Sequence, residues 1–241
     1  MGENQAIGKQ SIAYGSPVMI KGSGSIVGQN EGNGPLGQYF DKVGTDKNDM
    51  FGADSWEKAE SALQQQAIAI TLEKTGLDAK DVRYLFAGDL LGQLIATSFG
   101  IQTFEIPLFG LYGACSTMAE SLLMASMAVG GRFSDRVVAM TSSHFASSER
   151  QYRFPLGYGG QRTPTSQWTV TGSGAALVSS QGEGPRITSC TIGTVTDLGI
   201  KDANNMGSAM APAALETMKA HFSDLNCSPT DFDLIVTGDL G

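Results

Sequence analysis

Long apolar runs are missing from this sequence. No stretch reaches the roughly 18–20 consecutive apolar residues that a membrane-spanning helix needs. The N-terminal segment, MGENQAIGKQSIAYGS, also lacks the apolar centre of a secretory signal peptide. We therefore expect a protein on the cytosolic side that does not cross a membrane.

Positive charge is scarce as well. The 241 residues include 16 Lys and Arg against 24 Asp and Glu, which gives a formal net charge of −8. A chain with this balance lacks the basic surface that nucleic-acid binding needs. Any anionic ligand must instead be met by a local cluster of positive groups.

Cysteine and histidine are too few and too scattered for a metal centre. Cys115, Cys190 and Cys227 are odd in number and far apart, which indicates reduced thiols rather than a disulfide framework. The two histidines, His144 and His221, complete no zinc-site spacing with them. We expect no resident metal and no cofactor.

Strands and helices alternate along the chain. Apolar spacing predicts a helix over residues 54–76, with Asp54 in the N-terminal capping pair and Gly76 as the stop. Apolar runs predict buried strands over 81–90, DVRYLFAGDL, and 135–144, DRVVAMTSSH.

Two further strands are predicted later in the chain. Residues 169–180, TVTGSGAALVSS, and 184–197, GPRITSCTIGTVTD, have the composition of strands that lie side by side. The alternation as a whole is typical of an α/β fold with a largely parallel sheet.

A short repeat suggests two related halves. DVRYLFAGDL at 81–90 returns as DFDLIVTGDL at 231–240, and each copy follows a helical segment. We therefore expect a first half over residues 1–190 and the start of a second over 191–241. The second half is expected to be truncated here.

Cys115 stands between a glycine-rich turn and an apolar helix. Residues 109–133, FGLYGACSTMAESLLMASMAVGGRF, predict a strand, a turn and a helix with Cys115 at the helix N-terminus. The unpaired N–H groups and the helix dipole there favour a thiolate. The helix is apolar nearly all round, which predicts that it is buried and that Cys115 lies on the floor of a pocket. An inert buried thiol is the alternative.

These motifs resemble those of a known superfamily. A strand, ACS, a helix ending in Gly-Gly and the later TGSGAALV resemble the thiolase and ketoacyl synthase superfamily. LFGLYGACSTMAESL, NMGSAMAPAALETMKAHF and the wording of 141–179 resemble more closely the stage V sporulation protein AD family of spore-forming bacteria. The resemblance implies a thiolase-like layered fold, α-β-α-β-α, built from two pseudo-duplicated halves.

The resemblance also implies a function. It implies binding of dipicolinic acid, pyridine-2,6-dicarboxylate, for uptake into the developing spore, with calcium as a companion of the ligand. It further implies a homodimer that works with other proteins of the same sporulation operon. That work takes place at the inner membrane of the spore, where the protein is peripherally associated on the cytoplasmic side.

The residue chemistry offers a site for such a ligand. Dipicolinate needs cationic or N–H donors for two carboxylates and an apolar or aromatic wall for its ring. The segment 144–168 is rich in arginine and aromatic residues, and from it we take Arg153 and Arg162 for the carboxylates, with Tyr158 and Gln161 beside them. A subunit contact is an equally good interpretation of this segment.

Two further residues are expected beside Cys115. Asp89 follows a strand end, where ligands gather in α/β sheets; it could orient a donor or meet calcium, and a helix cap is the alternative. His144 ends the strand after the cysteine helix, so it is expected to reach the same pocket as Cys115. The alternative interpretation of His144 is a structural histidine.

Two other classes of function remain open. An acyltransferase of the thiolase or ketoacyl synthase type would use Cys115 as its nucleophile, but the histidine and asparagine, or second cysteine, of those enzymes has no recognisable match in this chain. A structural partner of membrane proteins would leave Cys115 inert and dock through the arginine-aromatic segment. We therefore expect a binding protein rather than an enzyme.

Overall fold

The computed structural model describes residues 3–46, 48–152, 169–202, 205–238 and 240, with the backbone alone for 149–152. The strands are β1 (Gln5–Ile7), β2 (Ser11–Ala13), β3 (Met19–Val27), β4 (Lys42–Val43), β5 (Tyr84–Gly88), β6 (Leu108–Gly110), β7 (Arg136–Ser143), β8 (Gly172–Ser179) and β9 (Ser189–Thr191). The α-helices are α1 (Gln29–Gly32), α2 (Trp56–Thr75), α3 (Ile95–Ile101), α4 (Thr117–Gly130), α5 (Phe145–Tyr152) and α6 (Gly207–Leu225). Short 3₁₀ turns span Gly37–Tyr39, Ala79–Asp81, Gly92–Leu94, Gln102–Phe104, Ala114–Ser116 and Pro229–Asp231.

The chain forms two compact units. One comprises Val18–Arg186, and the other joins Met1–Pro17 to Ile187–Gly241. The division into halves at residue 190 that the repeat suggests stays a prediction.

The larger unit is built on a six-stranded mixed sheet. Its strand order is β4-β3-β8-β7-β5-β6. The strand β5 runs parallel to both β6 and β7, whereas β8 runs antiparallel to β3 and β7. The carboxyl ends of β5, β6 and β7 therefore meet at one edge of the sheet, where open α/β folds place their ligands.

Helix α2 covers one face of this sheet and forms the main core. Its side chains Leu63, Ala67 and Ile68 are fully buried. They belong to one apolar cluster with Leu85 of β5 and Met140 of β7. Burying each large aliphatic side chain contributes about 1.5–3 kcal/mol, so this contact supplies much of the stability of the unit.

Helix α4 packs against β5, β7 and β8 on the opposite face of the sheet. Successive side chains of a strand point to alternate faces, so both faces have side chains against which a helix can pack. Its buried positions are small or β-branched: Thr117, Ser121, Ala125, Ser126, Val129 and Gly130. Leu122 is half-buried and Met127 is exposed. The prediction of a helix buried on all sides is wrong in this structure, since small residues face the sheet and larger ones face outward.

The ends of α2 confirm one prediction and correct another. Gly76 ends the helix in the left-handed conformation, as predicted. The N-cap is Ser55, whose side chain accepts a hydrogen bond from Lys58 N at 3.3 Å. Asp54 instead forms an exposed ion pair with Lys58.

Strand pairing corrects a third prediction. The strand β8 lies between β3 and β7 in the large sheet. The strand β9 pairs with β2 in a separate three-stranded sheet of order β1-β2-β9. The two segments are therefore strands, but they are not neighbours.

In the smaller unit, Asp224 of α6 holds the turn between β1 and β2. Its carboxylate accepts hydrogen bonds from Gln10 N at 3.1 Å, Lys9 N at 3.4 Å and Ser11 Oγ at 2.9 Å. The hydrogen bond from Ser11 and those from the backbone lower the pKa of Asp224.

Asp224→Ala is expected to loosen this turn. The three donors lose their acceptor, so the amide of Gln10 should exchange with solvent faster than in the wild type. Because the folded pKa of Asp224 is lowered, the stabilisation is present above the usual pKa of an aspartate and is lost as the pH falls through the folded value. Amide hydrogen exchange measures the effect, with the exposed Asp233→Ala as control. Equal exchange in both variants would contradict the prediction.

Candidate functional site

Cys115 lies in a tightly held turn that opens α4. Ala114 has a left-handed backbone with φ of 47°, a strained conformation for a residue with a side chain. Thr117 Oγ1 donates to Ala114 O at 2.8 Å and accepts from Gly113 N at 3.2 Å. Ser116 Oγ donates to Gly113 O at 2.8 Å. Main chain and hydroxyl groups therefore hold the turn, and the helix N-terminus favours negative charge beside it.

The Cys115 side chain is exposed rather than enclosed. The turn is placed at the helix start as predicted, but the expectation that a buried helix encloses the thiol is wrong. Burial begins only at Thr117, the first residue of α4, and the preceding residues Cys115 and Ser116 are exposed. Whether Cys115 contacts a ligand stays a prediction.

The strand ends bring the loop after β5 against the turn of Cys115. Leu111 N donates to Ala87 O at 2.8 Å. A Cβ atom placed on Gly88 would lie only 2.0 Å from Leu111 O, so the two segments touch through backbone. Tyr112 Oη also lies 3.5 Å from Leu90 O. The segments 89–94 and 110–116 thus form one surface, which we call the strand-end surface.

Asp89 begins the first of these two segments, and its side chain is fully buried. Its Oδ1 accepts from Leu91 N at 2.8 Å, and its Oδ2 accepts from Thr97 N at 2.8 Å and from Thr97 Oγ1 at 2.5 Å. Thr97 is the third residue of α3, so Asp89 caps that helix from a distance. In the structure Asp89 therefore positions the loop, and direct ligand contact stays a prediction.

His144 is fully buried at the end of β7. Its Nε2 donates to Asp49 O at 2.8 Å, and its Nδ1 accepts from Ala146 N at 3.2 Å. Burial lowers the pKa of His144, which agrees with a neutral ring that carries its proton on Nε2. Both nitrogens are engaged, so the structural alternative describes this histidine in the fold.

The other predicted site residues, Arg153, Tyr158, Gln161 and Arg162, lie outside the described residues. Their roles as carboxylate contacts, aromatic wall and amide donor stay predictions.

Sequence reasoning missed a buried polar network centred on Gln64. The Gln64 Nε2 amide donates to Thr97 Oγ1 at 3.0 Å and to Ser142 Oγ at 2.7 Å. The Ser142 hydroxyl donates in turn to Glu60 Oε1 at 2.8 Å. Because Thr97 donates to Asp89, one chain of hydrogen bonds joins two buried carboxylates.

The environment of Glu60 shifts its ionisation strongly. Burial raises the pKa of Glu60 to about 7, and the nearby charge of Asp89 also raises it. Hydrogen bonds from Ser142 and Ser147 oppose the shift. The available sequence signal was the pair Glu60 and Gln64, four residues apart on the buried face of α2.

Thr97→Val is expected to destabilise the larger unit by about 1–3 kcal/mol, because valine keeps the shape and leaves Asp89 and Gln64 without their shared hydroxyl. Thr97→Ser restores that hydroxyl and should recover most of the loss. Urea denaturation of the three proteins measures the difference. A stability of Thr97→Val equal to that of the wild type would contradict the prediction, and equal losses in both variants would mean that the methyl group contributes as much as the hydroxyl.

Comparison with solved structures assigns the fold. The synthase III FabH of Xanthomonas oryzae, a 3-oxoacyl-(acyl carrier protein) synthase, is 13% identical, with a TM-score of 0.59 over 92% of this chain and 77% of that one. Cerulenin-bound OleA of Xanthomonas campestris is 12% identical, with a TM-score of 0.60 over 92% and 74%. The chain thus has a thiolase-like α/β fold.

Sequence comparison identifies the family. The pattern of the family described as Stage V sporulation protein AD (SpoVAD) matches residues 8–241. The Stage V sporulation protein AD of Bacillus subtilis (strain 168) is 45% identical over 233 residues, which cover 97% of this chain and 68% of that protein. This chain belongs to the SpoVAD family, as the sequence motifs predicted.

Two absences hold for the part of the chain that the structure describes. No helix there is long and apolar enough to cross a membrane. No group of three or more His, Cys, Asp or Glu side chains there could hold a metal ion.

Proposed function

We propose that this SpoVAD-family protein binds dipicolinic acid, alone or with calcium, for its uptake into the developing spore. The ligand would lie on the strand-end surface beside Cys115. Arg153 and Arg162 would bind its two carboxylates, and Tyr158 and Gln161 would lie beside its ring. We further propose a homodimer that acts with proteins of the same operon at the inner membrane of the spore, on the cytoplasmic side.

One observation carries the preference for binding over turnover. The thiol of Cys115 is exposed on a rigid turn, but the imidazole of the same unit, His144, is buried with both nitrogens engaged. A thiolate nucleophile needs a base or charge partner that is free to exchange a proton. His144 cannot serve in that way without losing the contacts that hold Asp49 and the start of α5.

The ligand's charge suits the position. A helix N-terminus stabilises a nearby anion through its N–H groups and dipole. A dianion brought to a chain of net charge −8 also needs cations close by. The arginines of the segment 144–168 are the residues that sequence offers for this purpose.

Cys115→Ala is expected to weaken dipicolinate binding about tenfold, which is about 1.4 kcal/mol. Calorimetric titration of the protein with dipicolinate, with and without calcium, measures this. Cys227→Ala is the matched control, since it removes a thiol from the smaller unit.

Saturable binding that Cys115→Ala weakens and Cys227→Ala leaves intact would support the proposal. Absence of binding by the wild type would overturn it. Covalent acylation of Cys115 by an acyl thioester, seen by mass spectrometry, would instead favour the acyltransferase.

A further inference from the structure

The hydrogen-bond chain beneath the strand-end surface has a defined direction. Gln64 donates one N–H to Thr97 and the other to Ser142. Each of these hydroxyl groups in turn donates a hydrogen bond to a carboxylate. Asp89 terminates one arm and Glu60 the other. We call this chain the carboxylate relay. It ties α2 to the loop after β5 and to the end of β7.

Ser147 gives the Glu60 end of the relay two possible states. The Ser147 hydroxyl lies 3.1 Å from Glu60 Oε2 and also 3.1 Å from His144 O. When Glu60 is ionised, Ser147 can donate to it. When Glu60 carries a proton on Oε2, that proton can be donated to Ser147, whose own proton then turns to His144 O. In both states the Ser147 hydroxyl and the Glu60 carboxyl keep hydrogen-bond partners, so a proton can be gained without losing a contact at this end of the relay.

Burial, and to a smaller extent the charge of Asp89, makes the gain of a proton by Glu60 favourable. Asp89 is the charged group that acts on it from the loop after β5. The ring of His144, beyond Ser147, is held by Asp49 O and Ala146 N. Among the side chains that the structure describes, none forms an ion pair with Glu60. Two buried carboxylates thus stand at the two ends of one hydrogen-bond chain, with no ion pair to a described cation.

We propose that the carboxylate relay couples proton uptake by Glu60 to ligand binding at the strand-end surface. This inference rests on the proposed function. A dianion that binds above Asp89 adds negative charge, and Glu60 responds by taking one proton from solvent to become a neutral acid. The Ser147 hydroxyl turns its proton from Glu60 to His144 O in the same step. Glu60 is therefore a positioning residue that never touches the ligand.

If ligand binding promotes proton uptake by Glu60, then proton uptake must by linkage promote ligand binding, and the ligand should bind more tightly as the pH falls. We expect the affinity for dipicolinate to rise several-fold between pH 8 and pH 6. The ligand itself does not explain this change, because ordinary carboxyl groups titrate near pH 4.

The test is calorimetry at pH 7.5 in two buffers with different ionisation enthalpies, which counts the protons taken up per dipicolinate bound. We expect the wild type to take up a substantial fraction of one proton. Glu60→Gln mimics the neutral acid, since its amide can donate to Ser147, and should bind with no uptake. Glu73→Gln makes the same substitution at an exposed position of α2 and should behave as the wild type.

Binding by the wild type without proton uptake, or equal uptake by Glu60→Gln, would overturn the inference. Infrared spectroscopy separates this failure from a failure of the proposed function, because it needs no ligand. If the wild type binds no dipicolinate, the proposed function and the coupling fall together. A carboxylic acid band that is present at pH 6, fades by pH 8 and is missing in Glu60→Gln would support the proton site of the relay alone. Absence of that band in the wild type would overturn the relay too.

Discussion

Gly88→Ala is expected to destabilise the larger unit by about 2–3 kcal/mol and to displace the turn that carries Cys115. The added Cβ would lie 2.0 Å from Leu111 O and 2.8 Å from Thr117 Cγ2. Neither neighbour can yield easily, because Leu111 is bonded to the sheet through its main chain and Thr117 is almost fully buried. Dipicolinate binding should weaken together with stability, since the two segments of the strand-end surface move apart.

Gly174→Ala provides the matched control for this prediction. Gly174 lies in β8 of the same sheet, and a Cβ there would meet nothing within 4 Å. Urea denaturation of both variants should give a large loss for Gly88→Ala and little or none for Gly174→Ala. Similar stability of the two variants would show that the contact between Gly88 and Leu111 relaxes without cost.

Glu60→Gln is expected to become more stable than the wild type as the pH rises. The pKa of Glu60 is about 7 in the folded protein against an ordinary value of 4.5. The folded state therefore keeps a proton that the unfolded chain releases, and wild-type stability falls as the pH rises from 4.5 through 7. The shift corresponds to on the order of 3 kcal/mol. The glutamine of the variant does not titrate, so the difference in stability between variant and wild type should grow by that amount.

The measurement is urea denaturation at pH 5, 6, 7 and 8, compared with Glu73→Gln. Glu73 is exposed on the same helix, so its substitution should leave the pH profile unchanged. A wild-type profile parallel to that of Glu60→Gln would mean that Glu60 is ionised throughout this range and that the relay holds a charge at every pH tested.

Local sequence predicted the elements of the strand-end surface well. The strand that ends at Gly88, the turn at Cys115 and the strand before His144 all stand where apolar runs and glycines indicated. Each of these elements could be predicted because the spacing of apolar residues that marks a strand or a helix is a property of neighbouring residues in the chain. The orientation of α4 was not predictable in this way, since a helix apolar on every side has no preferred face.

The contacts of buried polar residues depend on distant parts of the chain. Asp89 is bonded to Thr97, and Gln64 meets Ser142 across 78 positions. The sequence pattern alone suggested Asp89 and His144 as ligand contacts. In the structure both side chains are buried and form hydrogen bonds with other parts of the chain. The same dependence on distant segments applies to β8, which pairs with the preceding strand β7 and also with β3 near the start of the chain.

The turn before α4 bears on how such a protein can change its chemistry over evolutionary time. Its shape depends on main-chain atoms of Gly113 and Ala114 and on the hydroxyls of Ser116 and Thr117. The sulfur of Cys115 projects from a frame that other residues maintain. A replacement at position 115 therefore alters reactivity while the scaffold persists. A change of side chain at this one position can therefore alter the chemistry of the turn without removing the hydrogen bonds that hold it.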